Sequence, residues 1–227
     1  MVLKLKDETK REIKRKSIHM IPGILGPIVV LLPAYLFGDF VGRMSGVLIS
    51  LFFFLIYTLN ELYLRGILKR PVPIASSTFE VMARQNELEG RTFMGPVYFW
   101  GVLVIMFMFL DLHAAMAGVW ISAIGDAAAA IFGKQFGKTK IPYNKRKSVQ
   151  GTLAFFLFSF VGVALILLAN PPSTPISWLY LAILASLLGA FLESLPGHYL
   201  LDEITVPLIT TLFVQFIGRY NFSFLVI

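Results

Sequence analysis

Asp126 is the residue that most needs an explanation. It stands inside the apolar run 114–133, where a carboxylate in hydrocarbon costs at least ~2.5 kcal/mol. Gly133 follows seven residues later, so at ~1.5 Å per residue Asp126 sits about 10 Å below that point of a helix. Ala129, Ala130 and Gly133 share its face at spacings of three and four. Small residues alone would serve close helix packing, but packing does not account for the acid. The run opens onto a basic segment holding Lys134, Lys138, Lys140 and Lys147, with Gly137, Ser148 and Gly151 among them. Oxygen ligands for Mg²⁺ below, with lysine donors for phosphate oxygens above, would suit a metal-bound phosphate. Glycines there would let backbone N–H groups approach an anion. The lysines taken alone would equally be ordinary topology residues. The Gly-Lys-Ser/Thr order of a Walker A loop is absent.

The other polar residues of the apolar runs gather toward the same side. His19 opens the first, Asn60 and Glu61 close the second, Glu193 closes the sixth, and Asp202 and Glu203 open the last. The opposite side offers Asp39, Asp111 and His113, all in turns. This asymmetry predicts one polar pocket facing the cytoplasm. Singly, His19 could serve as a headgroup anchor and Glu61 could simply pair with Arg65 at i+4. With no cysteine in the chain, thiolate and disulfide chemistry is excluded, leaving carboxylates, Lys, Arg, His and hydroxyls.

These residues need a scaffold, and composition names it. Of 227 residues, 57% are hydrophobic and 15% charged, and the mean hydropathy is +0.76. Apolar runs at 20–37, 44–59, 93–110, 114–133, 149–169, 176–195 and 204–218 predict an all-α polytopic membrane protein, a bundle of about seven transmembrane helices. Asp111 and His113 mark the turn that divides the long stretch 93–133. Lys and Arg settle orientation: seven lie in 1–17, five in 65–91 and six in 134–147, which is 18 of the 20. With seven crossings these segments share one side, so the N-terminus is expected in the cytoplasm. The whole chain reads as one integral membrane domain with a basic arm at 1–17, cytoplasmic loops at 65–92 and 134–148, and no cleaved leader. The first loop is expected to carry a short surface helix. Attraction to anionic lipid is an alternative role for the basic arm. Nucleic acid is not an expected partner, and oligomeric state is left open.

The motifs Gly125-Asp126-Ala-Ala-Ala-Ala-Ile-Phe-Gly133, Phe136-Gly-Lys-Thr-Lys140, Lys147-Ser148-Val-Gln-Gly151, Glu193-Ser-Leu-Pro196 and Asp202-Glu203 before Thr-Val-Pro-Leu208 resemble the CTP-dependent lipid-alcohol kinases of the dolichol, phytol and diacylglycerol kinase type. Arg15-Lys16-Ser-Ile-His19 resembles the N-terminal motif of that family. The resemblance implies transfer of the CTP γ-phosphoryl group to the hydroxyl of a membrane lipid alcohol, with Mg²⁺, at the cytoplasmic face. It casts Asp126, Glu193 and Asp202 as metal and catalytic carboxylates, one of them accepting the lipid proton. It casts Arg15, Lys16, His19, Lys134, Gly137, Lys138, Lys140, Lys147, Ser148 and Gly151 as nucleotide-binding. Asn60, Glu61 and Glu203 are further pocket candidates. Where the family commonly has Asp-Asn, this chain has Asp202-Glu203. Gly-Asp, Lys-Ser and Pro196-Gly-His198 also resemble CDP-lipid synthases, although the longer C-terminal signature of that family is missing. A transporter would place its charges near the midplane in repeated broken helices. Here they gather at one end, and no repeat is visible.

Overall fold

In a bilayer every backbone N–H and C=O must be satisfied within the chain, so long apolar runs are driven into helices. The computed structural model describes residues 12–173, 177–197 and 199–218, and helices lie on each of the seven apolar runs. They are α1 (Glu12–Phe37) and α2 (Asp39–Leu64); after two short helices, α3 (Ala75–Met82) and α4 (Gln85–Gly90), come α5 (Met94–Phe109) and α6 (Leu112–Phe136). A two-stranded hairpin, β1 (Lys140–Ile141) and β2 (Asn144–Ser148), leads into α7 (Val149–Ala169), α8 (Trp178–Ser194) and α9 (Tyr199–Gly218). Among the described residues, α1, α2, α6 and α7 are long and apolar enough to cross a membrane, and α5 and α8 are shorter apolar helices.

The centre of the bundle is α6. Its most apolar window is 72% buried, against 22–39% for the other three long helices, so it must present small side chains to neighbours on all sides. It does: Ala114, Ala115, Ala117, Ala123 and Ala127 are fully buried. Contact is close enough that a Cβ on Gly118 would meet the Pro207 carbonyl oxygen of α9 at 2.6 Å, and one on Gly151 of α7 would meet that of Ala129 at 2.8 Å. Outward-facing positions are large and apolar, as at Leu48, Phe52, Leu157 and Leu165, which suits a lipid-facing surface.

Two of these helices contain a π-helical turn: Pro27–Leu31 in α1 and Ile121–Gly125 in α6, the latter directly before Asp126. Such turns frequently mark functional sites. In α1, Pro27 has no N–H to give to the ladder, which accounts for the local change of pitch.

Several expectations are corrected. The basic arm is helical from Glu12 onward within the described residues, and Lys16 is buried instead of lying among headgroups. The segment after Phe136 is a hairpin, and α6 runs past Gly133 to Phe136, so Lys134 is helical and Asp126 lies about 15 Å from the helix end. The 65–92 segment carries two short helices in place of one. Asn60 and Glu61 do not face the polar pocket; they tether that segment. Glu61 accepts hydrogen bonds from Arg65 Nε (3.0 Å), Thr92 Oγ1 (2.9 Å) and Phe93 N (2.8 Å), and Asn60 Oδ1 accepts from Ser76 Oγ (2.7 Å).

The Asp111 turn is built by capping. Asp111 Oδ1 accepts from the N–H groups of His113 and Ala114, both at 2.9 Å, satisfying two of the donors that open α6. Arg43 reaches across from α2 and donates to the carbonyls of Phe107 (2.7 Å) and Leu110 (2.8 Å). A buried cation thereby closes the C-terminal end of α5.

Candidate active site

Asp126 is met by the first turns of α1. Lys16 Nζ forms an ion pair and hydrogen bond with Asp126 Oδ2, and His19 Nε2 lies 3.6 Å from the same oxygen. Lys16 and His19 are three residues apart, hence on one helical face. His19 Nε2 is also 3.9 Å from Glu203 Oε2 on α9. The Lys16 side chain is 7% exposed and that of Asp126 30%, so one partner is enclosed and the other opens onto a cavity.

A second ion pair forms where the hairpin meets α8. Lys147 Nζ on β2 lies 2.9 Å from Glu193 Oε1 and also donates to the Glu193 carbonyl oxygen. The hairpin is strapped to α8 by Asn144, whose Nδ2 donates to the carbonyls of Ser194 (3.0 Å) and Leu195 (3.1 Å). Tyr143 Oη shares a 2.7 Å hydrogen bond with Ser194 Oγ. Asn144 thus supplies partners to carbonyls that the end of α8 leaves over. Sequence reading passed over both residues; the signal was a Tyr-Asn pair beside the basic cluster.

Between these pairs lies a polar cavity of about 1290 Å³. Asp126, Glu193 and Asp202 line it, as do Lys16, Lys134, Lys140 and Lys147. Gly137, Ser148 and Gly151 line it too, and the last two also shape the helix junction. Ser148 Oγ accepts from Gly151 N at 3.2 Å as the cap of α7, and Gly151 allows the close approach of α7 to α6. Lys138 is absent from this wall, and it lies exposed beyond the end of α6. Thr152 Oγ1, also in the wall, is buried without a hydrogen-bond partner, an orphan that a polar ligand would satisfy.

An apolar cavity of about 500 Å³ lies among α1, α2 and α5. A small chamber of about 50 Å³ joins the two. It shares Lys16, Asp126, Glu193 and Asp202 with the polar cavity, and Arg15, His19 and Glu203 with the apolar one. The structure therefore brings Asp126, Glu193, Asp202 and Glu203 together with Lys16 and His19 where a charged compartment and an apolar one share lining residues, and leaves Glu61 out. Sequence reading missed the apolar cavity, because ordinary hydrophobic residues line it.

This chain is 29% identical over 232 residues to the phytol kinase 1, chloroplastic, of Arabidopsis thaliana, an alignment covering 93% of this chain and 70% of that protein. It is 33% identical over 144 residues to a probable phytol kinase of Triticum aestivum, covering 59% of this chain and 48% of the relative. An uncharacterised protein of Methanocaldococcus jannaschii is 31% identical over 150 residues, covering 65% of this chain and 68% of that one. The chain is thus similar to phytol kinases over most of its length. No family model and no solved structure matches it. The polar and apolar cavities share lining residues with the small chamber that holds Asp126, His19 and Glu203.

Proposed function

We propose that the protein is a CTP-dependent kinase that transfers the γ-phosphoryl group to the hydroxyl of a membrane lipid alcohol. The observation that carries this reading is the meeting of a lysine-lined polar cavity with an apolar one at Asp126. The similarity to plant phytol kinases favours a long isoprenoid alcohol such as phytol as acceptor, with polyprenol or dolichol alcohols and diacylglycerol as further candidates. In the proposed topology all seven apolar helices cross the bilayer as one integral domain. The basic segments and the site then face the cytoplasm, following the positive-inside rule.

Magnesium suits this donor set. Mg²⁺ is usually held by one or two carboxylates together with substrate phosphates and water. Asp126, Glu193 and Asp202 all line the polar cavity. Among the described residues no three His, Asp or Glu side chains are grouped to hold an ion by themselves, so phosphate oxygens and water would have to complete the coordination. When bound, the ion would neutralise charge on the triphosphate.

The chain's own residues would do the rest. Phosphoryl transfer asks for positioning and charge neutralisation more than for covalent chemistry. Lys134 and Lys140 offer donors to phosphate oxygens. Lys16 and Lys147 fix the carboxylates they pair with. The alcohol oxygen bonds to the γ-phosphorus, the bridge to the β-phosphate breaks, and the alcohol proton passes to a carboxylate of the cluster while CDP leaves. Purified protein given CTP, Mg²⁺ and phytol should form CDP and lipid phosphate in equal amounts, and neither after chelation. CDP without lipid phosphate, or no product across the candidate alcohols, would contradict the assignment.

A further inference from the structure

We infer that the apolar cavity among α1, α2 and α5 is the berth of the acceptor's hydrocarbon tail, filled sideways from the bilayer across α1, with the hydroxyl held at the His19–Glu203 end. This deepens the kinase reading and rests on it for the identity of the reacting group.

Three observations carry the inference. First, the cavity is graded from a polar mouth to an apolar floor. Its mouth holds Arg15, His19 and Glu203, and its far end is closed by Gly46 against Phe107 and Gly26 against Met116. A Cβ on Gly46 would meet the Phe107 ring at 2.9 Å, and one on Gly26 the Met116 methyl at 2.6 Å, so no side chain at either position intrudes on the floor. Second, its length suits a long chain. The lining runs along α1 from Arg15 to Val30, about 22 Å at 1.5 Å per residue. Third, it opens to the side. Ile21 and Leu25 of α1 line the cavity, while Ile24 and Ile28 of the same helix do not line it and are 50% and 56% exposed. In the proposed topology α1 is therefore the wall between the space and lipid, and over Ile21–Gly26 it packs mainly on α6.

Glu203 is suited to the hydroxyl end. The other carboxylate on the cavity wall, Glu87, is engaged in capping, its Oε2 accepting from Arg84 N at 2.7 Å. Glu203 faces both the tail cavity and the chamber containing Asp126. An alcohol oxygen held there lies at the boundary the phosphoryl group must cross, whatever the tail beyond it.

Filling the tail cavity tests this without touching the chamber. Ile49→Trp on α2 and Val29→Trp on α1 place an indole in the space from two separate walls. Binding is read with tritiated phytol on detergent-solubilised protein without nucleotide, and turnover with phytol and the much shorter geraniol. The expected result is at least a tenfold loss of phytol binding in both variants and a tenfold rise in phytol KM. The KM for CTP measured with geraniol should stay at the wild-type value. Wild-type phytol binding in either folded variant, or an unchanged phytol-to-geraniol preference, overturns the inference. Phytol binding that both variants lose, in a protein that phosphorylates neither alcohol, would support the tail site while refuting the kinase reading.

Discussion

At the scale of residues, the pairing of Lys16 with Asp126 makes Asp126 informative to mutate. Asp126→Asn should lower lipid-phosphate formation by roughly 10²–10³-fold, the scale on which one pre-positioned electrostatic partner matters. Asp126 taken alone predicts that neutralising it leaves folding intact or improves it. The structure reverses that expectation, since a buried ammonium would lose its counter-charge. The cost should be about 1–3 kcal/mol, short of the ~3–5 kcal/mol of a fully enclosed pair because Asp126 retains 30% exposure. Adding Lys16→Met should restore the melting temperature in detergent and leave activity lost; a double variant as unstable as Asp126→Asn would refute the pairing argument. Asp126 was legible from sequence because a carboxylate in an apolar run is costly. Lys16 was legible only through the family resemblance, as a nucleotide-binding residue; its pairing with Asp126 was not, because a lysine in a basic arm also suits lipid attraction. Asn60 and Glu61 misled because depth along a helix does not say which face a side chain takes.

At the scale of elements, side chains close the helix ends. Arg43→Met removes both donors from the carbonyls of Phe107 and Leu110, and leaving them orphaned should cost about 1–3 kcal/mol. The lowered melting temperature should come with a near-normal KM for CTP, since the lesion lies far from the polar cavity. Asn144→Ala should do the opposite, releasing the hairpin from α8 and raising the KM for CTP severalfold with a small change in stability. Equal effects of the two variants on KM would count against the hairpin as part of the nucleotide site. The run boundaries placed the helices because apolar length is a one-dimensional signal. The hairpin and the π-helical turn before Asp126 left little trace, since five residues of altered pitch keep the same composition.

For the whole molecule, topology can be read chemically because the chain has no cysteine. Single cysteines at Ser17 and Thr139 should react with an impermeant thiol reagent from the cytoplasmic side, and one at Ser173 from the opposite side. All three positions are exposed. Labelling of Thr139→Cys and Ser173→Cys from the same side would break the seven-crossing topology. The convergence of two cavities lay beyond sequence reading, since it depends on how α1, α6 and α9 meet in space. The central claim, that this convergence serves transfer of a terminal phosphoryl group to a lipid hydroxyl, is tested most directly by the position of the label. Protein in Mg²⁺ buffer with membrane lipid extract is given CTP labelled on the γ-phosphate and, separately, on the α-phosphate. The account predicts γ-label in the chloroform-soluble lipid and none from the α-position; lipid labelled from α-labelled CTP alone would contradict it and identify a cytidylyltransferase instead.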